Sequence, residues 1–133
     1  MSSDILSTIY LVAILVILLL AILFIAHKTK PRLDKHYFVK HWKHIESMTE
    51  YSMAVLKADS LLDEALRKAG IKGGTMGERL NNSVGFLRDV NSTWSAHKLR
   101  NKIAHENGFQ PSAMECQRAI RQIKKALKDL GAL

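Results

Sequence analysis

Between Trp94 and Glu106 the chain gathers two imidazoles, a guanidinium, a carboxamide and two ammonium groups: His97, His105, Arg100, Asn101, Lys98 and Lys102. An imidazole titrates near neutrality and can take or give a proton in a reaction. A guanidinium forks onto phosphoryl oxygens and holds charge that grows there. A carboxamide one helical turn from an imidazole can fix its orientation. These are the parts of phosphate chemistry, provided one element brings them together.

An α-helix does so in part. On a wheel of about 100° per residue, Ser92, Ala96, Leu99 and Ile103 fall within a stripe about 60° wide that reads as core. Arg100, His97, Asn101 and His105 share a separate face, with Ala104 among them. Arg100 and His105 stand about 140° apart on an ideal helix. They meet on one phosphate where the helix end unwinds near Asn107-Gly108, or where a second chain supplies the other half. A structural assignment competes with the chemical one. His105 can bond the last helix carbonyls, which favour a cation. His97 and Asn101 can bridge neighbouring helices, and Trp94 can be core.

The elements that must hold this helix follow from periodicity. Ile9 to Ala26 has no charged residue. Extended to Ile5, the run reaches roughly 33 Å as a helix, enough for a hydrocarbon core of about 30 Å. A cleaved signal peptide needs a basic start and a small-x-small cleavage site. Met1-Ser2-Ser3-Asp4 and Phe24-Ile25-Ala26-His27 supply neither, so an uncleaved anchor over 1–27 is expected. Lys28, Lys30, Arg32, Lys35, Lys40 and Lys43 follow it against the single acid Asp34, whereas only Asp4 precedes it. The positive-inside rule then puts the N-terminus outside and the rest in the cytoplasm, with the anchor in the cell's inner (plasma) membrane. The lone Cys116 has no partner for an intrachain disulfide.

Residues 28–35 read as a basic juxtamembrane segment and 36–133 as a helical domain. No stretch alternates as a half-buried strand would. A first helix over about Leu33 to Glu46 shows Tyr37, Phe38, Trp42 and Ile45 on one side. Ser47-Met48-Thr49-Glu50 has capping-box spacing, which suits a break or kink, and one long helix running through it is the equal alternative. The next helix has the seam Tyr51, Val55, Ala58, Leu62, Ala65 and Ala69, and Gly70 ends it. Thr75 and Glu78 form a second box opening a short helix toward Leu80. The helix bearing the polar cluster begins between Ser83 and Asn91 and runs to about His105. Ser112 and Glu115 form a third box. The last helix presents Ala113, Cys116, Ile120, Ile123, Leu127 and Leu130 as its seam. The expected fold class is all-α: an N-terminal transmembrane helix followed by a bundle of about four helices.

Arg100-Asn101-Lys102-Ile103-Ala104-His105 resembles the Arg-x4-His motif, with a polar residue straight after the arginine, of HEPN (higher eukaryotes and prokaryotes nucleotide-binding) domains. The stretch Ala96 to Glu106 is similar to strings in uncharacterised bacterial membrane proteins with such domains. The resemblance covers roughly Leu33 to Leu133. It implies a HEPN-like bundle and metal-independent RNA cleavage leaving a 2′,3′-cyclic phosphate. In that reading His105 is the general base, Arg100 steadies the phosphoryl oxygens and Asn101 orients His105. His97, Lys98 and Lys102 contact the substrate. The resemblance also implies a homodimer with a shared cleft. The anchor departs from the soluble toxin members.

The formal net charge is +8, and Asp4 is the only charge before residue 28. So basic a domain favours anionic partners: RNA, nucleotide or the head groups of the lipid bilayer. Three functions remain open: an endoribonuclease, a non-catalytic module that binds nucleotide, RNA or protein at the membrane, or a structural helper of a neighbouring membrane complex. No cofactor is expected. His27, His36, His41 and His44 lack a suitably placed acid or cysteine to hold a metal. Ile71-Lys72-Gly73-Gly74 has neither the strand nor the Gly-Lys-Ser/Thr of a phosphate loop.

Overall fold

The computed structural model describes residues 2–28 and 32–133. Residues 29–31, with Lys30 of the expected basic segment, and the side chains of His27 and Lys28 lie outside the described residues. The described residues form six helices and no strand: α1 (Ser2–Lys28), α2 (Lys35–Glu46), α3 (Tyr51–Lys68), α4 (Met76–Asn81), α5 (Val90–His105) and α6 (Ala113–Asp129). They divide into two compact units, 1–30 and 31–133.

In the first unit, α1 presents Ile5 to Ile25 outward, its large apolar side chains all about half exposed or more. Ser3–Ile25 is long and apolar enough to cross a membrane. The hydroxyls of Ser7 and Thr8 donate to the carbonyl of Asp4, so these polar groups are satisfied within the helix.

In the second unit α3 is the central element, touching α2, α4, α5 and α6. Its sequence explains why. Ala54, Ala58 and Ala65 let neighbours approach closely, while Val55, Leu62 and Leu66 fill the spaces between them; all six are fully buried. Phe38, Trp42 and Ile45 of α2 and Cys116, Ile123, Ala126 and Leu127 of α6 complete this core. Tyr51 and Ala113, expected in the seams, are exposed because each stands in the first turn beyond the packed region.

The helix ends follow local chemistry. Ser112 and Glu115 form a complete capping box at α6. Thr75 caps α4 by accepting from Glu78 N–H, but the Glu78 carboxylate accepts from Gly74 rather than from Thr75, so the second box is shifted by one residue. The first expected box does not form. Ser47 ends α2, bonded to its last carbonyls, and Glu50 caps α3 by accepting from Ser52 and Met53. Glu50 reaches those two amides itself, which leaves Ser47 free to close the preceding helix. After α3, Ile71 N–H returns to Leu66 and Gly70 N–H to Arg67, with Gly70 at φ 80°. This Schellman motif turns the chain toward α4.

Candidate functional site

One side of α5 forms a wall of an open polar cleft of about 560 Å³, with α3 and α4 supplying the other walls. The anchoring group is Asp59 on α3, a carboxylate only 3% exposed. It stands among Ala58, Leu62 and Leu66, so burial this deep needs partners. His97 provides the first: its Nδ1 lies 3.0 and 3.2 Å from the two Asp59 oxygens. With Nδ1 donating to Asp59, Nε2 can accept and calls for a donor. The Asn101 carboxamide fills that role, its Nδ2 donating to His97 Nε2 over 3.3 Å. Asn101 Oδ1 in turn accepts from Arg100 Nη1 at 3.0 Å. Arg100 Nε closes the ring 3.4 Å from Asp59 Oδ2, near enough for an ion pair but not aligned as a hydrogen bond.

Asp59, His97, Asn101 and Arg100 thus form a cyclic network. Its geometry follows from α5: His97 and Asn101 are one turn apart, and Arg100 lies beside Asn101 on the cleft side. Trp94, one turn before His97, meets its ring edge-on with centroids 5.7 Å apart. Arg100 is held at one end only. Its side chain is 31% exposed, and Nη2 has no protein partner among the described residues. The free edge of the guanidinium therefore belongs to the cleft.

A second ion pair shapes the opposite wall. Arg79 of α4 forks onto Asp63, with Nε to Oδ1 at 2.7 Å and Nη2 to Oδ2 at 3.0 Å. Its remaining Nη1 donates to the carbonyl of Gly73. Gly73 allows this closeness: a Cβ there would stand 2.7 Å from the backbone nitrogen of Arg79. Asp63 thereby carries a matched cation, and Ser60, Thr75, Met76 and Gly77 complete the lining.

The expected site residues separate into two groups. Arg100, Asn101 and His97 come together. His105 does not join them: it is exposed at the last turn of α5, with no hydrogen bond or ion pair among the described residues. Asn101, expected to orient His105 one turn ahead, bonds His97 one turn behind. His97, expected as an outward phosphate contact, is 7% exposed and points into the network. Lys98 and Lys102 are exposed, and the Lys102 ammonium lies 5.7 Å from the Phe109 ring. Asp59 escaped the sequence reading, although an acid inside the seam Val55, Ala58, Leu62 was its signal. His36, His41 and His44 are exposed on α2, and His41 Nδ1 bonds the carbonyl of Tyr37. Among the described residues no group of three or more metal-ligating side chains assembles.

Cys116, in the α3–α6 core, has a thiol pushed up by burial, which keeps it protonated and inert. No protein-family model, curated protein or solved structure matches the chain.

Proposed function

We propose that the chain is a single-pass membrane protein whose HEPN-like domain faces the cytoplasm and binds a phosphate-bearing ligand, nucleotide or RNA, in the cleft between α3, α4 and α5. The observation that carries this reading is Arg100. The buried ring of Asp59, His97 and Asn101 fixes its position, while Nη2 stays unpaired at an open cleft. A guanidinium held in place before the ligand arrives loses little freedom on binding, and its free edge suits a phosphoryl oxygen. The Trp94 indole beside it offers a surface for a base.

The test uses the full chain in lipid nanodiscs, titrated with fluorescent short RNAs and with nucleotides. Arg100→Ala is expected to weaken binding about 10- to 100-fold, the loss of one charge-assisted contact. Equal binding by wild type and Arg100→Ala would remove the cleft from the account.

A second reading, metal-independent RNA cleavage by a homodimer, is favoured by the state of His105. A general base must have a free nitrogen within reach of the substrate, and His105 is exposed and uncommitted. In one protomer Arg100 is tied toward Asp59, so the pair needs the partner copy to supply one of its members. Cleavage in EDTA that leaves cyclic phosphate ends, and is lost in both His105→Ala and Arg100→Ala, would support this reading. Binding without cleavage would leave the module non-catalytic.

A further inference from the structure

The surface of α6 carries a feature that the cleft does not use. Arg118, Arg121, Lys125 and Lys128 recur at steps of three and four, which puts them in one row along the helix. All four are exposed. None forms an ion pair with a described residue, although the neighbouring Lys124 pairs with Glu46 and Arg88 pairs with Asp129. Protein surfaces commonly intersperse the two signs. Here the acids of α6 stand at its two ends, Glu115 bound to Ser112 and Asp129 bound to Arg88, and the nearby acids Glu115, Asp89 and Glu46 act on Arg118, Lys125 and Lys128 without pairing with them. The opposite side of α6 is core, with Cys116, Ala119, Ile123, Ala126 and Leu127 buried. The helix is therefore amphipathic in the ordinary sense, but its outer face is cationic rather than mixed.

Three of the four cations also line a hollow of about 190 Å³ between α6 and the start of α5, whose other walls include Ser92, Thr93, Gln122 and the carboxylates Asp89 and Asp129, so the hollow is of mixed charge and the anion-binding character belongs to the exposed row. Only six residues, 29–34, join α1 to α2 in the sequence. A bilayer crossed by α1 would thus present its head groups to the domain permanently, at high effective concentration. Exposed Lys and Arg each gain favourable energy close to an anionic lipid surface, and the effect dies away within a Debye length.

We propose that the row Arg118, Arg121, Lys125 and Lys128 is a docking face for anionic phospholipid head groups. The proposal rests on α1 being a membrane anchor and is independent of the cleft ligand. Docking would hold the domain in one orientation against the surface, and salt or loss of anionic lipid would release it.

The test reconstitutes the full chain in nanodiscs of phosphatidylcholine alone or with phosphatidylglycerol added. Incorporation is scored first, by co-migration of chain and disc, so that failure of the anchor is seen separately; a chain that does not enter the discs overturns the proposal. Lysine acetylation read by mass spectrometry then compares Lys125 and Lys128 with Lys57 and Lys98, which are exposed on α3 and α5. Anionic lipid is expected to slow acetylation of Lys125 and Lys128 several-fold relative to that pair. High salt should reverse the protection, as should R118Q/R121Q, a change at two exposed positions that leaves the core intact. Equal rates at all four lysines in both lipids would overturn the proposal. So would protection of Lys125 and Lys128 by added RNA but not by phosphatidylglycerol, which would assign the row to nucleic acid.

Discussion

Replacing His97 by alanine should be among the most damaging single changes in the domain that leave the apolar core untouched. The Asp59 carboxylate is 3% exposed, so water cannot substitute for the lost imidazole. Arg100 cannot rescue it as placed, because its Nε lies 3.4 Å away without hydrogen-bond alignment. Leaving a buried charge without its partner costs about 3–5 kcal/mol. Asp59→Ala should cost less, about 1–3 kcal/mol, since it strands the His97 Nδ1 donor rather than a buried carboxylate. The double variant removes both unsatisfied groups and should fall short of the summed single costs by about 1–3 kcal/mol. Arg100→Ala is expected to cost only about 1 kcal/mol, because its side chain is 31% exposed and it makes one hydrogen bond in the ring, to Asn101. The assay is urea unfolding of the full chain in detergent, followed by fluorescence of Trp94, which touches His97, and of buried Trp42. If the two single changes add to within about 0.5 kcal/mol in the double variant, the reasoning fails. Additivity would mean that His97 and Asp59 are not coupled and that the ring does not position Arg100.

Three further outcomes follow from named contacts. Arg79→Lys should destabilise the domain nearly as much as Arg79→Ala, by roughly 3 kcal/mol in urea unfolding, because an ammonium cannot serve both Asp63 oxygens and Gly73 at once. The Glu46 carboxyl is held below its ordinary range by hydrogen bonds from Lys124 and Trp42. Its folded-state value is depressed, so this contribution is present above the usual carboxylate range and is lost as pH falls through the lowered value. Unfolding curves taken from neutral to acid pH should therefore show a small loss that Glu46→Gln lacks, small because the pair is largely exposed. Cys116, buried with its thiol pushed up, should react with maleimide only when the domain unfolds, read as a single labelling step that tracks the urea transition.

The helices were legible because their seams obey one period and their ends carry cap chemistry. Val55, Ala58, Leu62 and Ala65 mark α3 without further help, and the Ser112–Glu115 box and Gly70 place two helix ends. Ser47-Met48-Thr49-Glu50 was harder: spacing alone does not say which of two helices a serine will close. The site was half legible. Residue type picked out Arg100, Asn101 and His97, but their partners depend on what lies across from α5. Asp59 stands 38 residues before His97, and no local pattern links them. A wheel drawn for α5 alone treats the His97 side as surface. The structure buries it because α3 and α4 cover that side.

That cover also bears on how the motif would act. A free helix would leave Asn101 able to serve His105 at i+4 as readily as His97 at i−4. Asp59 breaks the tie. By accepting from His97 Nδ1 it leaves Nε2 as an acceptor, and Asn101 answers with its amide nitrogen. The carboxamide oxygen is then committed to Arg100. The polarity of every member follows from one buried carboxylate, and Arg100 emerges with Nη2 free at the cleft and Nε facing Asp59 without a hydrogen bond. His105 receives nothing from this chain of bonds. Any chemistry at His105 must draw its second group from outside the ring, whereas ligand binding at Arg100 needs no rearrangement. For a single copy of the chain, binding therefore has the lower structural demand, and catalysis asks for a second copy in addition.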